Sequence, residues 1–345
     1  MRILFDITHP VHVHWFRYLI STLKHEGHQV LLTARDKDVT LPLLADLGIE
    51  HICISRRRGG LIRAAKELLV RDVRLLQAAR RFRPDVLVGA EAGVSIGPVG
   101  AFLRVPRLVF DQVDYARLQR SLGMPWATLI CTSQSYLKDH GPKHIRFRGF
   151  LAQSYLDPRY FKPDPAPLSR AGVDPHKPFI VLRLVRWSAT HDIGREGLTG
   201  QQLERFIECL SQHGRVLVSS EEPLPNSLKQ YENPVPAVHL HDLLAFATIC
   251  IGEGGTVAPE AGILGTPAIC YNTYDFGYLR ALEKHYKLIH LSDSLDQALE
   301  TAKLFLQNHN LKNQWQRRRD QLFEQTDDVP NFMRQMIDRV VQIRR

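Results

Sequence analysis

Short apolar runs alternate with amphipathic stretches along the chain, and that alternation leaves few folds open. RILFDIT (2–8) reads as a strand. VHVHWFRYLISTLKHEG (11–27) reads as a helix, with Phe16, Leu19, Ile20 and Leu23 at helical spacing and Gly27 as its stop. QVLLTA (29–34) is the next strand, a helix follows around 39–47, then HICIS (51–55) and a long basic helix. PDVLVGA (84–90), RLVFDQ (107–112) and TLICTS (128–133) are three further strands. Strand–helix alternation of this kind predicts a parallel sheet covered on both faces.

Residues 157–178 (DPRYFKPDPAPLSRAGVDPHKP) are rich in Pro and polar residues and read as a linker. The pattern then restarts. FIVLRLV (179–185), RVLVSS (215–220), TICIGEG (248–254) and PAICYN (267–272) read as strands. Helices are expected over 198–214, 241–247 and about 257–264. A last segment, 329–345, carries an apolar stripe of Phe332, Met336, Val340 and Ile343, with Asp327 or Asp328 as its cap and Pro330 in its first turn. The expected organisation is a Rossmann-like domain over 1–165, a second over 166–328, and a C-terminal helix over 329–345 that crosses back to the first. A length of 345 residues suits two domains.

Composition excludes several classes. Hydrophobic residues at 44% and charged residues at 23% are ordinary for a globular chain and do not fit disorder. No stretch of about 18 apolar residues predicts a transmembrane helix. The opening MRILFDITHP lacks the basic-then-apolar layout of a signal peptide. The five cysteines are scattered without a CxxC pair, which argues against a disulfide framework or a zinc ribbon and fits a reducing cytoplasm.

The positive charge is uneven. Residues 1–165 hold 25 Lys/Arg against 15 Asp/Glu, and the remainder 20 against 21. The stretch 55–84 is densest, and such a face attracts phosphates, nucleic acid or an acidic membrane surface. A merely solvated helix face is the alternative. Nucleic-acid binding calls for interleaved aromatics, and 56–83 contains only Phe82.

In open α/β sheets ligands bind beyond the carboxyl ends of strands, so strand-to-helix turns are the informative positions. In IGEGGTVAPEAGILGTPAICYN (251–272) a strand ends in a Gly-rich turn and a helix begins. Glycines admit a close ligand, and a helix N-terminus offers free N–H groups to a diphosphate. Glu260, one turn further, is a candidate for ribose hydroxyls. A plain tight turn is the alternative, since this is neither G-x-G-x-x-G nor a Walker loop.

The segment resembles the donor-nucleotide motif of GT-B glycosyltransferases, especially the N-acetylglucosaminyltransferase that completes peptidoglycan's lipid precursor. It is also similar to the non-hydrolysing UDP-N-acetylglucosamine 2-epimerases. The resemblance assigns a phosphate-holding turn to Gly254, Gly255 and Thr256, and the ribose carboxylate to Glu260. RPDVLVGAEAGVSIGPVGAFLRVPRLVFDQVDYA (83–116) resembles the same transferase's N-domain stretch. It places Glu91, Gly93 and Ser95 on one loop and Asp111 and Gln112 on the next. In the epimerases acidic residues at about these strand ends do acid/base work, which makes Glu91 and Asp111 the candidates here. Helix caps or pairs with Arg104 or Arg107 are the alternative.

FDITHPVHVHWF (5–16) brings His9, His12 and His14 just after the first strand. His12 and His14 diverge by about 200° on a helix, so zinc is not expected. An imidazole facing the cleft suits a general base or a phosphate contact, and His12 is the catalytic candidate. The peptidoglycan transferase has a Gly-rich turn here, and this chain has Pro10. With VRWSATHDIG and GEGGTVAPEAGILGTPA, the ITHPVHVHWF opening looks like an uncharacterised prokaryotic GT-B-like family, domain-of-unknown-function family 354. That family implies an α/β, GT-B-like fold, its two parallel sheets facing each other across a cleft.

VLRLVRWSATHDIG (181–194) occupies the position where GT-B enzymes meet the donor diphosphate. Arg183 and Arg186 are candidates for bidentate phosphate contacts, and Trp187 for stacking on a base or sugar. Ser188, His191 and Asp192 are polar where a bare connection needs none. Ser220 and Glu221 end the next strand and are candidates to border the nucleotide base. The leading expectation is a metal-independent glycosyltransferase using a nucleoside-diphosphate sugar, UDP-linked, for cell-surface polysaccharide or glycolipid synthesis. No cofactor is expected, since no DxD-like motif lies near the site. An anionic or lipid-linked acceptor at the inner membrane face fits the Arg-rich helix. A sugar-nucleotide 2-epimerase or hydrolase, and a non-catalytic nucleotide-sugar-binding protein, stand as alternatives.

Overall fold

The computed structural model describes residues 1–57, 60–114, 117–185, 200–271 and 276–343, with the side chains of 61 and 62 outside that set. The chain divides into two compact units. The first comprises Met1–Tyr160, Phe276–Tyr278 and Thr326–Arg345, and the second Phe161–Asp275 and Leu279–Gln325.

The first unit is built on β1 (Arg2–Ile7), β2 (Gln29–Asp36), β3 (Ile52–Arg56), β4 (Val86–Gly89), β5 (Arg107–Asp111), β6 (Leu129–Ser133) and β7 (His144–Phe147). They form a seven-stranded sheet in the order β3-β2-β1-β4-β5-β6-β7, parallel throughout. Each connection must return over the sheet, so helices cover it and the central strands lose access to water on both faces. Ile3, Leu4, Phe5 and Ile7 of β1 are fully buried. Phe16 of the helix Pro10–His25 bridges Phe5 and Phe110, with ring centroids 5.3 and 5.9 Å away.

The sequence pattern did not announce β7, whose HIRF mixes charge with apolar residues because it is an edge strand. The helix Val329–Gln342 packs in this first unit, with Phe332 against Phe147 at 5.0 Å. Asp328 is its cap, accepting from the Asn331 N–H at 3.0 Å. Its buried face is Met333, Met336, Ile337 and Val340, while Ile343 is exposed.

The second unit carries β8 (Phe179–Leu184), β9 (Arg215–Ser220), β10 (Ile249–Glu253), β11 (Ala268–Tyr271) and β12 (His290–Ser292). The parallel order is β12-β11-β10-β8-β9. Its core gathers Ile180, Leu182, Phe206, Leu217, Ile251 and Ile269. The three-residue β12 and the polar helix Leu311–Gln325 escaped the hydrophobic pattern, one by brevity and the other because only Leu311, Trp315 and Leu322 are buried.

Two ion pairs tie the long helix Leu61–Phe82 to the first sheet, Arg35–Glu67 from β2 and the more deeply buried Arg71–Asp6 from β1. Arg71 Nη2 lies 2.5 Å from Asp6 Oδ2, both side chains under 10% exposed, and Thr33 donates to the other carboxylate oxygen at 2.9 Å. Removing one partner strands a buried charge. Arg71→Met is therefore expected to cost about 3–5 kcal/mol in urea unfolding. Arg63→Met, on the exposed side of the same helix, should stay within about 0.5 kcal/mol. Equal effects would mean that the pair does not anchor the helix.

Candidate functional site

The ends of β1, β4 and β5 meet in one cluster, since these strands are neighbours. β1 stops at Ile7 and the chain turns through Thr8 and His9 into the helix Pro10–His25. His9 is the cap, its Nδ1 accepting from the Val11 N–H at 3.2 Å, and Pro10 costs nothing in a first turn. His12 is buried one turn on. Its Nδ1 faces the N–H and hydroxyl of Thr8 at 3.3 and 3.0 Å, and that hydroxyl donates to Glu91 Oε2 at 3.0 Å. His12 Nε2 lies 3.9 Å from Glu91 Oε1.

Glu91 is held there by an unusual backbone. Glu91 and Ala92 both have positive φ, 48° and 63°, in the left-handed region that β-carbons disfavour. Gly93 follows at φ 67°, where an added Cβ would sit 2.7 Å from Val109 Cγ2. Left-handed non-Gly residues persist only where surroundings enforce them, and such strain concentrates at functional sites. The turn leaves the Glu91 side chain 40% exposed above a buried His12.

Charge is partitioned within the cluster. Burial lowers the His12 pKa to about 4 and holds His9 well below its usual value, so both imidazoles are neutral at pH 7. Burial alone would raise Glu91, but His12, His9, Lys37 and the Thr8 hydroxyl outweigh it and bring the carboxyl down to about 2. Lys37, beyond the end of β2, is lowered by its own burial. Asp111 ends β5 and is fully enclosed. Its Oδ1 accepts from the N–H groups of Gln112 and Val113 at 2.9 and 3.2 Å, and Oδ2 from the Tyr136 hydroxyl at 3.0 Å. Burial nonetheless raises its pKa to about 7, with the Glu91 charge pushing the same way. One carboxyl is thus ionised while its neighbour titrates near neutrality.

Among the other first-unit candidates, Gln112 is half-buried beside Asp111. Ser95 is buried before the helix Ile96–Leu103, where it acts on Asp72, and His14 packs in the interior against the Tyr155 ring at 5.3 Å. His14 therefore points away from His9 and His12, whose rings lie 5.9 Å apart. Among the described residues no three His, Cys, Asp or Glu side chains gather to hold a metal ion.

In the second unit β10 ends at Glu253, and Gly254 takes φ 74°, which lets the chain turn sharply into the helix Val257–Ile263. Gly255 and Thr256 complete the turn, and Thr256 is exposed at the cap position. Glu253 Oε2 accepts from the Val185 N–H at 3.1 Å, which ties the end of β8 to this turn. Glu260 is buried, its Oε2 3.3 Å from His241 Nε2. Arg183 donates to Ser219 at 3.2 Å and to Glu221 at 2.6 Å, and the Ser220 hydroxyl accepts from the Glu222 N–H. Arg186, Trp187, Ser188, His191 and Asp192 lie outside the described residues.

Sequence reasoning passed over Thr8, Lys37, Tyr136, Glu253 and His241. Thr8 and Glu253 stood inside segments already singled out. Lys37, Tyr136 and His241 join only through tertiary packing, and no spacing in the chain signals them.

The Asp111 carboxyl carries a pH consequence. Its folded pKa of about 7 exceeds the unfolded value of about 3.9, so its contribution is full below pH 4 and lost as pH rises through 7. Urea stability should fall with pH by up to about 1.4 kcal/mol per unit from this group between pH 5 and 7. Asp111→Asn should flatten that slope. Tyr136→Phe should carry the decline to higher pH, because the hydroxyl favours the ionised form. A slope unchanged in Asp111→Asn would refute the assignment.

Solved structures share this architecture. A spinosyn rhamnosyltransferase complexed with thymidine diphosphate superposes with a TM-score of 0.65 at 15% identity, covering 97% of this chain and 100% of that one. The UDP-GlcNAc 2-epimerase from Methanocaldococcus jannaschii gives 0.63 at 12% identity, over 90% and 94%. These likenesses establish the fold as GT-B-like, with two Rossmann-like units. In sequence, an uncharacterized protein of Methanocaldococcus jannaschii is 26% identical over 305 residues, 84% of this chain and 87% of that protein. The family model described as "Protein of unknown function (DUF354)" matches residues 1–342, and the chain belongs to that family.

Proposed function

We propose that this protein is a metal-independent glycosyltransferase that takes a nucleoside-diphosphate sugar, UDP-linked, and passes the sugar to an anionic or lipid-linked acceptor in cell-surface polysaccharide or glycolipid synthesis. The observation that carries the reading is the first-unit cluster of an exposed, ionised Glu91 beside an Asp111 carboxyl with a pKa near 7. Glu91 accepts a hydrogen bond from the acceptor hydroxyl and orients it. Asp111, whose pKa of about 7 lies near neutrality, takes up the proton as the hydroxyl attacks C1, which requires the enclosed carboxyl to open to the acceptor. The C1–O bond to the diphosphate breaks, and the electron pair leaves with the nucleotide. In the second unit the N–H groups of Gly255 and Thr256 receive the diphosphate, with Arg183 exchanging its Glu221 partner for a phosphate oxygen and the buried Glu260 taking the ribose hydroxyls. His241 steers Glu260 through their 3.3 Å contact. The fold shared with sugar-nucleotide enzymes supports this division of labour.

The same carboxyl pair favours a second reading. One ionised and one protonated carboxyl are equipped to remove and return a proton at C2 of a bound sugar, which is 2-epimerisation. Turnover of UDP-N-acetylglucosamine without an acceptor separates the two: an epimerase or hydrolase consumes or converts it, and a transferase waits for its acceptor.

UDP and UDP-sugars at millimolar concentration, with EDTA present, should raise the melting temperature, since a ligand of the native state stabilises by about 2.7 kcal/mol at a hundredfold excess over Kd. Glu260→Ala should weaken that shift. Glu91→Gln should keep it and lower turnover by about 10²–10⁴. Absence of any shift with every nucleoside diphosphate tested would refute the proposal.

A further inference from the structure

The long helix Leu61–Phe82 presents an outer face that the chemistry above does not use. Residues 69, 70 and 73 fall together at helical spacing, and Leu69, Val70 and Val73 are 69, 41 and 55% exposed. Exposed large apolar side chains grouped this way mark a contact surface. The same side of the helix exposes Lys66, Arg74, Arg80 and Arg81. Of the two acids of the helix, Glu67 is buried in a bidentate pair with Arg35, and Asp72 is half-buried beside Arg71. The described outer face is therefore mainly apolar and cationic.

A cavity of about 520 Å³ adjoins the ridge and shares Arg74 and Gln77 with it. Arg2, Arg81, Ile52 and Phe82 also line it, at the starts of β1 and β3. This is the opposite end of the sheet from Glu91 and Asp111. Arg2 lies over the Phe82 ring at 4.9 Å, and its buried Nε has no acceptor among the described residues. Phe102, 66% exposed, extends the surface beneath Arg80 at 5.4 Å.

We propose that this face docks the protein on an anionic phospholipid surface. Leu69, Val70 and Val73 enter the boundary between headgroups and acyl chains. Lys66, Arg80 and Arg81 meet the surrounding phosphates, and the arginine-lined cavity accepts one headgroup phosphate. Charge complementarity selects the occupant, because a face whose cations Lys66, Arg74, Arg80 and Arg81 outnumber the half-buried Asp72 and Asp85 at its edge gains little from a neutral partner. Among the described residues no helix is long and apolar enough to cross a membrane, so the contact is interfacial. The inference is independent of the reaction assigned above, and its test reads binding alone.

The full chain is sedimented with vesicles of phosphatidylcholine containing 30% phosphatidylglycerol and, separately, of phosphatidylcholine alone. Binding is expected only to the anionic vesicles, with release at high salt as the cations are screened. Leu69→Glu/Val73→Glu should lower binding about tenfold or more, and Arg80→Gln/Arg81→Gln should lower it several-fold. All four side chains are exposed, so both variants should melt with the parent protein. Failure to bind anionic vesicles, or unimpaired binding by the Leu69→Glu/Val73→Glu variant, would overturn the proposal. Self-association on gel filtration abolished by that variant, without vesicle binding by the parent, would assign the face to a second copy instead.

Discussion

The arrangement at the first unit depends on what burial does to Asp111 beside a carboxylate that stays charged. A carboxyl enclosed in protein resists ionisation, because no water replaces the solvation it loses. Three donors oppose that cost at Asp111 without cancelling it, and its pKa settles at about 7. Glu91 meets the reverse balance: Lys37 and the Thr8 hydroxyl, joined in acid by the protonated His12 and His9, overcome desolvation and hold its pKa down to about 2. Two chemically similar groups thus hold different protons at the same pH, the condition for dividing acid and base roles.

Topology makes that juxtaposition possible. A parallel sheet sends all its carboxyl ends to one edge, and β1, β4 and β5 are consecutive in the order, so Thr8, Glu91 and Asp111 arrive together from distant parts of the chain. The left-handed turn at Glu91 and Ala92 then lifts one carboxyl toward solvent while Asp111 stays inside. The second unit repeats the device. Its sheet brings the ends of β8, β9 and β10 together, where Glu253 reaches the Val185 N–H and Arg183 reaches Glu221. In both units a left-handed turn follows directly on the carboxyl end of a strand, at Glu91 and at Gly254.

Much of this was legible in the chain, for definable reasons. Central strands buried on both faces must be apolar, so RILFDI, PDVLVG and TICIG were visible as strands. The edge strand β7 and the three-residue β12 carry no such signature and were not. Gly254 and Glu91 were legible because a strand-to-helix turn is a short local pattern. That Glu91 takes a left-handed conformation was not, since nothing in EAG demands it. Tyr136 and Lys37 enter the cluster from other loops, and only folding reveals that their partners are Asp111 and Glu91. His14 shows the converse: it shares a motif with His12, yet helical geometry turns it to Tyr155.

A carboxyl-carbon NMR titration of the protein labelled at Asp and Glu tests the division of charge most directly, with Asp111→Asn and Glu91→Gln used to assign the two resonances. The Asp111 signal should move with a midpoint near pH 7, and the Glu91 signal should stay in its ionised position until strongly acid pH. Both carboxyls titrating near pH 4, as in unperturbed side chains, would contradict the partition and with it the acid/base roles assigned to the pair.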